Sequence, residues 1–246
     1  MRKEKKIFQN KEIPNEAINF HADYNLEDLY DHASSELTLQ QSKRDQIISV
    51  YLALVTFIVP FALSSSNLSI SNKGLIFTAT GFVGILFSLI IIRYRLYKEV
   101  YWLTCQTITV LSNCIKERID KSVVQAAFYQ CIYKKGKSYI KIKNNKKKFM
   151  HFKYVKKNLF SSETIYFLIH SIISIVILSL GVGLTIDYNY INIIIPIILG
   201  LIVLILLLYS YFSKLIDVFK VLADDSDESF NKAFSKAWFL HFYLEK

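Results

Sequence analysis

Four runs of apolar residues constrain this chain more than anything else in it. Ile47–Leu63 carries no charge over 17 residues and Leu75–Ile92 none over 18. Ile165–Ile186 runs 22 residues with His170 as its one basic or acidic side chain, and Ile191–Phe212 runs 22 with none. An α-helix rises ~1.5 Å per residue, so crossing ~30 Å of hydrocarbon takes roughly 20 residues. The last two runs meet that length. The first two reach it by borrowing flanking polar residues or by thinning the bilayer slightly. All four are apolar all round, without the polar stripe of a helix half-buried in a soluble protein. Only seven glycines and three prolines occur in 246 residues, which favours long helices over turn-rich sheets. The expected fold is an all-α integral membrane protein with four transmembrane helices as two hairpins. Ser64–Gly74 joins the first pair and Asp187–Tyr190 the second. Pro60 and Pro196 are expected to kink their helices or mark the outer ends.

Charge decides the orientation. Seven Lys or Arg precede the first run, one lies in the first short loop and 17 lie between the hairpins. None lies in the second short loop, and five lie in the tail. Positively charged loops stay in the cytoplasm, so both termini and the middle segment are placed there. The composition resembles that of an AT-rich bacterium, so the membrane expected is the inner (plasma) membrane. The chain then divides into a cytoplasmic arm (1–46), a first transmembrane hairpin (47–92), a basic cytoplasmic segment (93–162), a second hairpin (163–212) and a cytoplasmic tail (213–246). The start, "MRKEKKIFQNKEIPNE", has basic residues but no apolar core behind them, so no cleaved leader is expected.

Helical periodicity continues outside the spans. Leu26, Leu29, Tyr30, Ala33 and Leu37 predict an amphipathic helix over Phe20–Gln46 running into the first span. "RYRLYKEVYWLTCQTITVLSNCIKERID" has no Pro or Gly and predicts a helical stalk after the second span. Lys121–Lys134 predicts another helix, ended by Lys135-Gly136. "SYIKIK" and "FMHFKYV", around Asn144-Asn145, alternate and predict a small lysine-faced β-hairpin. In the tail, Phe230, Phe234, Trp238 and Phe242 fall on one helical face, as an interfacial anchor or as a surface packed on the stalk.

Between Lys134 and Lys157 stand eleven lysines, no arginine and no acid: Lys134, Lys135, Lys137, Lys141, Lys143, Lys146, Lys147, Lys148, Lys153, Lys156 and Lys157. Juxtamembrane lysines gain roughly 1 kcal/mol each from an anionic leaflet. The segment ends close to the third span, so anionic membrane lipid is the leading partner. A soluble protein is the next. Nucleic acid is disfavoured by the absence of arginine forks, although Tyr139, Phe149, Phe152 and Tyr154 have faces on which bases could stack.

Little points to catalysis. The five histidines are scattered, no phosphate loop or nucleophile elbow occurs, and no polar groups stand out at matched depths on two spans. No enzyme, cofactor or metal is expected. His170 is the single ionisable side chain inside a span; it either snorkels or bonds Ser174 one turn on. Cys105, Cys114 and Cys131 are an odd number without metal spacing and read as reduced, structural thiols. Thr80, Gly84 and Ser88, with Gly81 beside them, and Ser179 with Gly183 are small residues at helical spacing. They allow close helix approach within one subunit or between copies in a homo-oligomer.

Ser42–Cys114 joins a polar helix, "SKRDQIISVYLALVTFIVPFAL", a short loop, "LIFTATGFVGILFSLIIIRYR" and a re-entering helix "LYKEVYWLTCQTI". This layout resembles the SLATT type of two-span module of bacterial conflict systems. The resemblance implies a pore-forming or membrane-perturbing effector that works by oligomeric assembly and carries no catalytic motif. The hairpin Ile165–Phe212 is an addition to that design.

Overall fold

A computed structural model of the chain describes residues 26–112, 121–143, 146–186 and 190–220. Helix α1 is Leu26–Ser64, α2 Ile70–Ser112, α3 Lys121–Gly136, α4 His151–Asn158, α5 Ser162–Thr185 and α6 Tyr190–Lys220. A two-stranded antiparallel sheet, β1 (Ile140–Lys143) with β2 (Lys146–Phe149), lies between α3 and α4. Helices α1, α2, α5 and α6 are each long and apolar enough to cross a membrane. The protein is therefore a four-span, all-α membrane protein built from two hairpins.

Helix α2 is the central post. It packs against α1 on one side and α5 on the other, and α5 holds α6. The start of α1, the end of α2, the start of α5 and the end of α6 meet at one end of the bundle, where the lysine-rich segment also folds. Helices run unbroken from the spans into that region. Consequently the sequence-based boundaries at 92/93 and 212/213 fall inside α2 and α6. Four of the five stripe residues of α1 pack as their spacing predicts: Ala33 is fully buried, with Leu26, Leu29 and Leu37 against Tyr101, Cys105 and Ile108 of α2, whereas Tyr30 is exposed and the expected start at Phe20 lies outside the described residues.

The lysine-rich segment is a packed module. Leu103 and Leu111 of α2, Phe128 and Ile132 of α3, and Leu215 and Phe219 of α6 form its core, joined by Tyr139, Phe149 and Tyr154. Tyr139 and Tyr154 meet edge-to-face at 5.0 Å, and Tyr154 packs on Phe219 at 5.6 Å. The β-hairpin forms around Asn144-Asn145, but its second arm differs from expectation. Only Lys146–Phe149 is strand, and "HFKYV" begins α4 instead. Met150 still donates its N–H to Tyr139 O (2.7 Å), and its own carbonyl then accepts from Tyr154 N (3.1 Å). The helical turn brings Tyr154 to the same core as Phe149, where an extended chain would carry it away.

Both prolines sit inside helices, Pro60 in the last two turns of α1 and Pro196 in the second turn of α6. The aromatic residues Phe230, Phe234, Trp238 and Phe242 lie outside the described residues, as does Cys114.

Candidate functional site: two polar layers along the α2–α5 seam

Gly74, Gly81, Ser88 and Arg95 recur every seven residues on α2, two helical turns apart, and so lie along one face. Antiparallel to them, α5 presents Thr185, Leu178, Ser171 and Thr164 at the same interval. The glycines let the two backbones touch. A Cβ on Gly74 would stand 2.8 Å from Gly181 O, and one on Gly81 would collide with the Leu178 backbone. A Cβ on Gly181 would likewise strike Thr78 N. Thr80, Gly81, Gly84 and Ser88 are all buried within the subunit. Ser179 serves a different contact: its hydroxyl donates to Pro196 O on α6 (3.1 Å), opposite Gly200. Gly183 faces open space, with nothing within 4 Å of where its Cβ would be. Gly74, Gly181 and Gly200 are packing glycines that the small-residue spacing did not single out.

An ionic layer closes the seam at the lysine-rich end. Glu163, at the first turn of α5, is gripped by Arg95 Nη1 (2.5 Å) and Lys98 Nζ from α2, with Arg44 Nη1 of α1 at 3.6 Å. One turn further along α2, Glu99 is buried and holds Lys135 Nζ of α3, with Arg95 Nη2 at 3.7 Å. Lys135 also stands over the Trp102 ring at 3.9 Å. These pairs tie α1, α2, α3 and α5 together at one level. Burial, together with Arg95 and Arg44, pulls Lys98 down to about 8 against the opposing effect of Glu99. Burial also lowers Lys135, partly offset by Glu99.

Seven residues into the membrane from three of these side chains stands a second polar layer. Arg44 leads to Tyr51, Arg95 leads back to Ser88, and Glu163 leads to His170, so the layers are about 10 Å apart. His170 does not snorkel. It is 1% exposed, and its Nε2 lies 3.1 Å from Gly84 O on α2. A carbonyl only accepts, so Nε2 carries the proton and Nδ1 keeps a bare lone pair. Ser174 Oγ does bond His170, but at the backbone carbonyl (2.8 Å). Ser88 donates its one proton to Gly84 O (3.1 Å), so Ser171 supplies the hydrogen in the 3.2 Å Ser88–Ser171 contact. The fully buried Tyr51 ring meets the His170 ring edge-on at 4.7 Å, and its hydroxyl lies over Gly84 beside Ser174 Oγ. Tyr51 Oη and His170 Nδ1 have no hydrogen-bond partner among the described residues. The sequence reading found no polar groups at matched depths on two spans; the structure corrects it, with Tyr51, Ser88, Ser171, Ser174 and His170 meeting from three spans. A search for charged residues passes over such a layer, because Tyr and Ser count as ordinary members of an apolar run. The shared seven-residue offset was the available signal.

The lysines divide by use. Lys135 turns inward to Glu99. Lys153 Nζ donates to Ser138 O (2.8 Å), and Lys157 stands 5.6 Å from the Tyr139 ring centre. Lys134, Lys137, Lys141, Lys148 and Lys156 are exposed, Lys141 directly across the sheet from Lys148. Lys143, Lys146 and Lys147 are strand positions whose side chains lie outside the described set. Of the aromatic residues offered for stacking, Tyr139, Phe149 and Tyr154 are core, whereas Phe152 is 81% exposed. Phe160, beside the α5 N-cap Ser161, is 78% exposed. Helix α4 thus turns Tyr154 inward and presents Phe152, Lys153, Lys156 and Lys157 outward.

Among the described residues, no three His, Cys, Asp or Glu side chains are grouped to hold a metal. Cys105 and Cys131 are buried free thiols, raised in pKa by that burial and so poor nucleophiles. Comparison with protein-family models, curated proteins and solved structures finds no match to this chain.

Proposed function

We propose that this is a non-enzymatic protein of the bacterial inner membrane, with its lysine-rich end in the cytoplasm. Its task is to hold a folded basic module against the anionic lipid of the inner leaflet. The observation that carries this reading is the outward arc at the entry to α5. Phe152 and Phe160, about four-fifths exposed, flank Lys153, Lys156 and Lys157 along the chain, and Phe160 immediately precedes the Ser161 cap. Exposed rings beside lysines suit the headgroup boundary, where rings reach acyl chains and ammonium groups reach phosphates. The strong positive-inside bias supports the orientation. The test is Phe152→Trp in the full chain, reconstituted with brominated lipid. The emission added over the parent protein is quenched in anionic bilayers if the arc rests on lipid. Emission indifferent to bromination, with capture of a soluble partner by the same face, contradicts it.

A second reading, assembly into a membrane-perturbing pore of the SLATT kind, has its own support. Only 11% of the most apolar stretch of α1 is buried, which leaves that span free to meet another copy. Mass measurement in detergent tests this reading, since a strictly monomeric protein at every concentration contradicts it.

A further inference from the structure

We infer that the ionic layer at the membrane-facing end of the lysine-rich module is a receptor for a phosphate group, carried by a lipid headgroup or free in solution. Arg44, Arg95, Lys98 and Lys135 converge there from α1, α2 and α3. Against them stand two enclosed carboxylates, Glu99 and Glu163, and an exposed third, Asp45, which clamps Arg44 at 2.7 Å from outside. Among these ion pairs, four cations therefore face three carboxylates.

Donors are left over in the same place. Lys98 has three N–H groups and its hydrogen bond goes to Glu163, while Arg95 Nε has no acceptor among the described residues. The side chains of Lys98 and Arg44 are 21% and 13% exposed, so the cluster reaches the surface on their side. Two guanidinium forks with two ammonium groups suit a tetrahedral oxyanion, to which each fork can give parallel N–H bonds. The layer lies at the depth of headgroup phosphates, three residues before the apolar run of α1 and three after that of α2. In this view Glu163 acts as an internal stand-in, occupying between Arg44, Arg95 and Lys98 the position that a phosphate oxygen would take. Burial is the main cause of the lowered pKa of Lys98, and the neighbouring Arg95 and Arg44 add to it. The inference rests on the bundle spanning a bilayer and is independent of the α4 arc.

The test uses the full chain in neutral detergent at matched ionic strength. Its unfolding midpoint is followed with inorganic phosphate, with short-chain phosphatidylglycerol, and with short-chain phosphatidylcholine as the zwitterionic control. A ligand at about 100 times its Kd raises the midpoint by roughly 5 °C or more. Phosphatidylglycerol alone giving this rise assigns the site to a headgroup; an equal rise with inorganic phosphate assigns it to the soluble ion. Lys98→Gln cuts the rise at least by half. Glu163→Gln lowers the starting midpoint yet enlarges the rise, because the competing carboxylate is gone. Phe152→Ser leaves the rise unchanged, which separates this site from the α4 surface. Native mass spectrometry of the unaltered chain needs no variant and should show a retained phosphatidylglycerol. No rise over the phosphatidylcholine control, or the same rise in Lys98→Gln as in the parent, overturns the inference and leaves the layer a structural clasp.

Discussion

The α2–α5 seam and the lysine-rich module use the same few side-chain types to opposite ends. In the seam, charge is scarce and mostly withdrawn from water, reaching the surface at Arg44 and Lys98: Glu163 and Glu99 each hold cations from other helices, and small residues bring the backbones together. In the module, charge is abundant and, among the described side chains, turned outward except at Lys135, above a core of Tyr139, Phe149, Tyr154 and Phe219. A charge removed from water is worth what its partner returns, whereas an exposed lysine is worth little to the fold and is free for a ligand. Position and partner, more than density, separate a fastening from a binding surface.

The sharpest way to break this contrast is to force the seam apart. Gly81→Leu places a side chain against the Leu178 backbone, where neither helix can yield, and should cost about 3 kcal/mol or more. Gly183→Leu changes the same residue type on the partner helix where no atom lies within 4 Å, and should be neutral or slightly stabilising. Equal losses from both, measured by unfolding in mixed micelles, would mean that the seam is not where these helices meet.

Next in size is Glu99→Gln, which strips Lys135 and Arg95 of an enclosed partner and should destabilise by about 3 kcal/mol. Lys148→Gln, in the module, should change stability by no more than about 0.5 kcal/mol. His170→Leu removes the bond from Nε2 to Gly84 O and should cost about 1 kcal/mol, in keeping with hydrogen bonds between membrane helices.

A pH series sharpens the comparison further. Lys98 has a folded-state pKa near 8, below its value in the unfolded chain. Between those two values the unfolded chain binds the extra proton, so through this group stability rises with pH above about 8 and gains nothing below it. Over the same range the cluster loses positive charge, so any phosphate-induced rise in the unfolding midpoint should shrink. The smallest effect on the fold belongs to Phe160→Ser, which should leave stability within about 0.5 kcal/mol and lower only lipid contact.

The architecture was legible because spans announce themselves by length. A run such as Ile191–Phe212 has one reading, and the stripe from Leu26 to Leu37 predicts its own packing face at every position but Tyr30. The seam was less legible, since its parts belong to three separate spans and are brought into register by the fold. Glu163 looks like an ordinary acidic residue at a helix start until Arg95 and Lys98, 68 and 65 residues away, are laid beside it. "FMHFKYV" was misread because alternation over so few residues suits a strand or a helix equally. Core contacts of Tyr154 with Tyr139 and Phe219 then decided for the helix.

The orientation of the bundle can be tested most directly by labelling single cysteines in intact cells with a membrane-impermeant maleimide. Asn67→Cys lies in the exposed loop between α1 and α2, and Lys148→Cys lies exposed on β2. Labelling at position 67 in whole cells, with position 148 reached only after lysis, is the predicted result. Labelling at 148 from outside, or at neither position until lysis, would contradict a four-span bundle whose lysine-rich module faces the cytoplasm.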